Sequence, residues 1–223
     1  MEEKITAAPV APKPKKPLPK SRIMVSEQLA QLYQDTIDAK ARGEKIGWSA
    51  SIFPQEIAEA LGLYIVYPEN QAAGLAARHQ SEPLLNHAEA LGYNMDICSY
   101  ARTSLAYMDT LKAESNNMPK PDFVLCCNNI CNQLTKWFEN LAHEFHVPMF
   151  LIDTVYNYDS CASEEKVRYV RSQIDDLIRG LEEISGRKLD PKRLEEVMRI
   201  SLRNKDLWRE ANELLAARPA PLA

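Results

Sequence analysis

Apolar positions along this chain follow two periods. Short unbroken apolar runs read as buried strands, and longer stretches with apolar residues three and four apart read as amphipathic helices. The most informative stretch is Asp122-Phe-Val-Leu-Cys-Cys-Asn-Asn-Ile-Cys131. Phe123, Val124 and Leu125 follow Pro121 and predict a buried strand. From Ile130 the period changes: Ile130, Leu134, Trp137, Phe138, Leu141 and Phe145 fall at helical spacing. Asn128 or Asn129 is placed to cap that helix, which puts Cys131 in its first turn.

The rest of the chain reads the same way. Residues 26–42 predict a helix capped by Ser26, with Leu29, Leu32, Ile37 and Ala41 on one face and Gly43 at its end. Residues 45–53 predict a strand running into a turn, 55–61 a helix after Pro54, and 63–67 a second strand. Residues 68–74 read as a loop. A helix follows over 81–91, another runs from about 99 to 111, and 116–121 form a turn-rich linker. Residues 147–153 predict a further strand and 154–163 a loop. Val167, Val170, Ile174, Leu177, Ile178, Leu181 and Ile184 mark a helix, and Asp190 with Pro191 opens a last one. There is no internal repeat.

Strand and helix alternate from Ile46 to Asp153, which predicts an α/β fold: a mainly parallel, Rossmann-like sheet flanked by helices. Around it the expected organisation is a disordered Pro/Lys-rich arm over 1–22, an α/β domain over 23–160, a helical segment over 161–215 and a loose tail over 216–223. Ligands of such sheets sit beyond the C-terminal strand ends. The residues that carry chemistry fall there: Ser49 and Ser51 after the first strand, Glu69 and Asn70 after the second, Cys126 to Cys131 after the third, Asp153 and Thr154 after the fourth. Cys98 stands at the start of the 99–111 helix.

Composition narrows the class. The 223 residues are 45% hydrophobic and 26% charged, with net charge −4, so one core is affordable and no broad basic field invites nucleic acid. No apolar run is long enough to span a bilayer, and the chain reads as cytoplasmic. Five cysteines, an odd and clustered set, do not look like a secreted disulfide framework. Cys98 and Cys131 both open helices, where spare N–H groups and the dipole favour the thiolate that binds metal. Two such thiolates facing one crevice suit an iron–sulfur cluster. Zinc lacks a second Cys pair, a redox pair lacks C-x-x-C, and inert core cysteines are common. Inert packing is the favoured reading for Cys126 and Cys161. Glu69 reads as an acid/base group or a solvated charge, and Ser51 as a donor to a ligand oxygen or a helix cap. His87, His143 and His146 fall in helices, and nucleotide and serine-hydrolase signatures are absent.

Four motifs carry a resemblance. Gly47-Trp-Ser-Ala-Ser51, Tyr67-Pro-Glu-Asn-Gln-Ala-Ala-Gly74, Asp96-Ile-Cys-Ser-Tyr-Ala-Arg102 and Leu125-Cys-Cys-Asn-Asn-Ile-Cys131 closely resemble the α subunit of 2-hydroxyacyl-CoA dehydratases, from about Ser26 to Trp208. Benzoyl-CoA reductase subunits are more distant relatives. The resemblance implies a radical lyase. An ATP-dependent iron–sulfur activator protein delivers one electron to a heterodimer of α and β subunits. The electron reaches a [4Fe–4S] cluster and then the thioester carbonyl; the ketyl radical expels the 2-hydroxyl group and a 2-enoyl-CoA forms. By the same resemblance Cys98 and Cys131 are cluster ligands, Ser51 hydrogen-bonds the thioester oxygen, and Glu69 assists hydroxide departure. Cys126 and Cys127 match residues that are not ligands. The third cysteine ligand comes from a second domain that follows in the family, so this chain alone is expected to hold the cluster poorly and to lack activity. Whether a flavin binds stays open. A non-catalytic scaffold and a benzoyl-CoA-reductase-like subunit are the alternatives.

Overall fold

The computed structural model describes residues 18–219. Four strands form one parallel sheet in the order β2-β1-β3-β4: β1 is Ile46–Ser49, β2 Tyr64–Val66, β3 Phe123–Cys127 and β4 Met149–Ile152. Eight helices surround it: α1 Lys20–Ala41, α2 Glu56–Ala60, α3 Pro68–Ala77, α4 Glu82–Ala90, α5 Ser99–Thr110, α6 Asn132–Phe145, α7 Glu164–Ser185 and α8 Pro191–Leu214. The expected α/β architecture is therefore present. The chain passes from β1 outward to β2, then returns across β1 to β3. That reversal makes the C-terminal ends of β1 and β3 the topological switch point, the place where such sheets bind ligands.

Packing explains the strand positions. β1 and β3 are buried at every residue, as central parallel strands with both faces covered should be. Trp48 on β1 is fully buried, stacks edge-on against Phe145 with ring centres 5.1 Å apart, and donates its indole N–H to the Pro119 carbonyl at 3.0 Å. Gly47 is required beside it. A Cβ there would run into the Phe123 ring on one side and come within 2.7 Å of Ile65 Cδ1 on the other. Tyr107 ties α5 to the linker: its hydroxyl donates to the Met118 carbonyl and accepts the Met118 N–H, both at 2.7 Å.

Asp122 registers the sheet at its other end. Its Oδ2 accepts the Ile46 N–H at 2.9 Å and pairs with Lys40 Nζ at 2.8 Å, while Lys45 Nζ lies 3.6 Å from Oδ1. Burial pushes the Asp122 carboxyl up, but Lys40, the Ile46 N–H and Lys45 together outweigh it and hold the group below its ordinary value.

Several expectations are corrected. Residues 68–74 are not a loop: Pro68 opens α3, where its fixed φ and missing N–H suit the first turn, and Ala72 and Leu75 bury its inner face. Helix α1 begins at Lys20, not Ser26. Pro19 precedes it in extended geometry, nothing between 20 and 25 breaks a helix, and Ser26 lies inside without capping. Its buried positions are Tyr33, Thr36 and Ala39, whereas Leu32, Ile37 and Ala41 face solvent. Thr36 tolerates burial because its hydroxyl donates to the Leu32 carbonyl one turn back, at 2.7 Å. Strand β3 runs on through Cys126 and Cys127 rather than breaking at them. Neither Asn128 nor Asn129 caps α6; Cys131 itself occupies the cap with extended backbone, and the helix starts at Asn132. Most of the expected arm, 1–17, and the end of the expected tail, 220–223, lie outside the described residues.

Candidate active site at the C-terminal sheet edge

Four segments carry the candidate residues at the C-terminal edge of the sheet. After β1 the ladder continues one residue, with the Ala50 N–H donating to the Leu125 carbonyl at 2.9 Å. This delivers Ser51 to an exposed turn at the lip. After β2, Pro68 starts α3 and puts Glu69 in its first turn. Glu69 Oε2 accepts the Ser51 backbone N–H at 2.6 Å. Ser51 and Glu69, from different strand ends, are thus brought into direct contact. The Ser51 hydroxyl and the second Glu69 oxygen have no hydrogen-bond partner among the described residues.

The exposed thiols at helix starts belong to α5 and α6. Cys98 caps α5 and Cys131 caps α6; both are exposed. The two helices pack together, and the Cys98 N–H donates to Gln133 Oε1 at 3.1 Å, in the first turn of α6. That bond ties the N-termini of the two cysteine-bearing helices to each other. Cys126 and Cys127 are buried in β3. Burial, first, and then the proximity of Cys127, Glu69 and Cys131 push the Cys126 thiol up to about 12. Burial also raises Cys127, with Glu69 adding to it and a hydrogen bond from the Asn129 backbone working against it. These two remain neutral thiols at neutral pH. Cys161 is exposed in the 154–163 loop, away from any other cysteine in sequence.

Donor chemistry decides what the site could hold. Two exposed cysteines at helix N-termini suit an iron–sulfur cluster, since spare N–H groups there can reach thiolates and inorganic sulfide. They do not complete a ligand set: among the described residues no group of three or more His, Cys, Asp or Glu side chains is placed to bind a metal ion. Two thiols can be only part of such a ligand set. A groove of about 900 Å³ lined by α1, α2, β2 and α8 contains none of Ser51, Glu69, Cys98 or Cys131.

The profile of the family described as "2-hydroxyglutaryl-CoA dehydratase, D-component" matches residues 50–223. The chain belongs to that family. It is similar to the (R)-phenyllactyl-CoA dehydratase alpha subunit of Clostridium sporogenes, 49% identical over 187 residues, which covers 84% of this chain and 46% of the relative. It is also similar to the (R)-2-hydroxyisocaproyl-CoA dehydratase alpha subunit of Clostridioides difficile, 44% identical over 203 residues, 91% of this chain and 50% of the relative. A benzoyl-CoA reductase component of Thauera aromatica matches at 27% identity over 208 residues, 91% of this chain and 48% of the relative. The chain spans about half the length of the curated relatives it matches. All four motifs that carried the resemblance lie within or at the margin of the matched region. No helix among the described residues is long and apolar enough to cross a membrane.

The sequence pattern did not reveal the network beyond β3 and β4. Asn128 donates from Nδ2 to Asp153 Oδ1 and accepts at Oδ1 from both the N–H and the hydroxyl of Thr154, at 2.8 and 2.9 Å. The Tyr169 hydroxyl donates to Asp153 Oδ2 at 2.6 Å, and that bond raises the phenol above its ordinary value. Asp153 and Thr154 stood out as polar residues at a strand end. Tyr169 gave no signal, because one aromatic on a helix reads as packing.

Proposed function

We propose that this chain supplies the thioester-binding site and two cluster ligands of a 2-hydroxyacyl-CoA dehydratase. The observation that carries the reading is the meeting of Ser51 and Glu69 beyond β1 and β2, at the same C-terminal sheet edge from which Cys131 follows β3, with the α5 N-terminus at Cys98 tied to that of α6 through Gln133. Membership of the dehydratase family supports it.

The chemistry explains why these groups belong together. The β-proton of a 2-hydroxyacyl thioester is barely acidic, so a base alone cannot start the elimination. A [4Fe–4S] cluster, when bound, would supply a low-potential electron to the thioester carbonyl. Cys98 and Cys131 would hold that cluster, with the remaining ligands from outside the described residues. Ser51 donates its hydroxyl proton to the thioester oxygen, where negative charge accumulates. Its N–H fixes one Glu69 oxygen, leaving the other to deliver a proton to the departing 2-hydroxyl group. The hydroxyl group leaves as water with that proton, the Glu69 carboxylate so formed can take the β-proton, and return of the added electron leaves a neutral 2-enoyl-CoA. In this reading a β subunit completes the enzyme, an ATP-dependent iron–sulfur activator protein supplies the electron, and a flavin has no assigned role.

Benzoyl-CoA reductase chemistry is the second reading, and the fall in identity from 49% and 44% to 27% favours the first. Turnover separates them. The protein, assembled with its partner subunit and activator, is expected to convert a 2-hydroxyacyl-CoA to its enoyl-CoA and to leave an aromatic acyl-CoA untouched. The reverse preference would overturn the assignment.

A further inference from the structure

Cys131 stands at the end of a short connection out of β3. Between the end of β3 at Cys127 and the α6 cap lie only Asn128, Asn129 and Ile130, all exposed. Such a segment would ordinarily be loose. Here its first residue is held through its N–H and through both polar atoms of its side chain. The Asn128 N–H extends the sheet ladder to the Ile152 carbonyl at 3.4 Å. Its side-chain amide engages Asp153 and Thr154 as described, so one residue bridges the exits of both strands.

The bridge is anchored in turn. Tyr169 on α7 pins the second Asp153 oxygen. Gln173, one turn further along, accepts the Asp153 N–H at 2.7 Å and donates Nε2 to the Asp153 carbonyl at 3.1 Å. An aspartate held on both carboxylate oxygens and both backbone groups has little freedom left. Helix α7 therefore holds Asp153, Asp153 holds Asn128, and Asn128 sets where the chain leaves β3 three residues before Cys131.

We propose that Asn128, Asp153 and Tyr169 are positioning residues that fix Cys131 for iron, a role that rests on the cluster reading. They act through the loop and touch no reactant. Their polarity makes the idea testable, because the network can be rebuilt with its charge reversed. In Asn128→Asp alone, two carboxylates face each other and the bridge opens. In Asn128→Asp with Asp153→Asn, the new carboxylate still accepts from Thr154, the new amide donates back to it, and the amide oxygen still accepts from Tyr169. Every bond returns.

Hydrogen exchange on the full chain reads the loop directly. In Asn128→Asp, amides of 129–133 are expected to exchange about tenfold faster while those of β1 and β2 keep their rate. The double variant is expected to restore them. Circular dichroism and thermal melts keep a misfolded variant from passing as a loosened one. An unchanged rate in the single variant, a double variant no better than the single, or equal loosening of β1 and β2 overturns the proposal. In the assembled enzyme the cluster's EPR signal should broaden in the single variant and recover in the double. If exchange follows this pattern and the EPR signal does not, the positioning device stands and the assignment of Cys131 to iron falls.

Discussion

Removing the Asp122 carboxylate should weaken the sheet in two separable steps. The carboxylate does two jobs: it accepts the Ile46 N–H at the start of β1, and it pairs with Lys40 at 2.8 Å and, more loosely, Lys45 at 3.6 Å. Asp122→Asn keeps an acceptor for Ile46 and loses both ion pairs. Those lysines are about a third and a half exposed, so solvent screens them and the expected cost is about 1 kcal/mol. Asp122→Ala also strands the Ile46 N–H, whose residue is fully buried, which adds about 1–3 kcal/mol. The assay is urea denaturation at pH 7 and at low pH. The pH dependence has a fixed sign. The folded group titrates below its ordinary 3.8, so its contribution is whole above that value and is lost as pH falls through the lower, folded one. The gap between wild type and Asp122→Asn should therefore be full at pH 7 and close towards pH 2. A gap that stays constant with pH, or an asparagine variant as weak as the alanine one, would refute the reasoning.

Other predictions follow from single contacts. Gly47→Ala should destabilise the fold by about 1–3 kcal/mol, seen as a lower Tm, because Phe123 and Ile65 leave no room for a methyl group; an unchanged Tm would show that the strands can part at no cost. Native protein should react with a thiol reagent at Cys98, Cys131 and Cys161, while Cys126 and Cys127 react only after unfolding. Peptide mapping checks this, and fast labelling of Cys126 would contradict its burial. In the assembled enzyme Glu69→Gln should lower kcat about 10²–10⁴-fold while leaving iron content unchanged. Unaltered turnover would remove Glu69 from proton transfer.

Much of this arrangement was legible in the order of residues. Apolar runs at Phe123–Leu125 and around Ile46 gave the central strands, and the stripe from Leu134 to Phe145 gave α6. Capping chemistry found Asp190, whose carboxylate accepts the Lys192 N–H at 2.9 Å. Other features depend on distant contacts. The first turns of α3 look like a loop because Pro68 signals a break as readily as a start; what settles it is burial of Ala72 and Leu75. The inner face of α1 is chosen by what lies beneath it, so buried Tyr33 prevailed over the apolar Leu32 and Ile37. Cys126 and Cys127 interrupt no strand, since a thiol packs like a small apolar group. Residue order placed Ser51 and Glu69 each at a strand end. Their contact follows only from the β2-β1-β3-β4 order, which no local pattern encodes.

Iron and acid-labile sulfide, measured anaerobically together with EPR on the chain assembled with its partner subunit, test the central claim most directly. The account predicts that Cys98→Ser and Cys131→Ser each strip or alter the cluster, whereas Cys161→Ser leaves metal content and spectrum as in the wild type. A full cluster with an unchanged spectrum in both of the first two variants would contradict it.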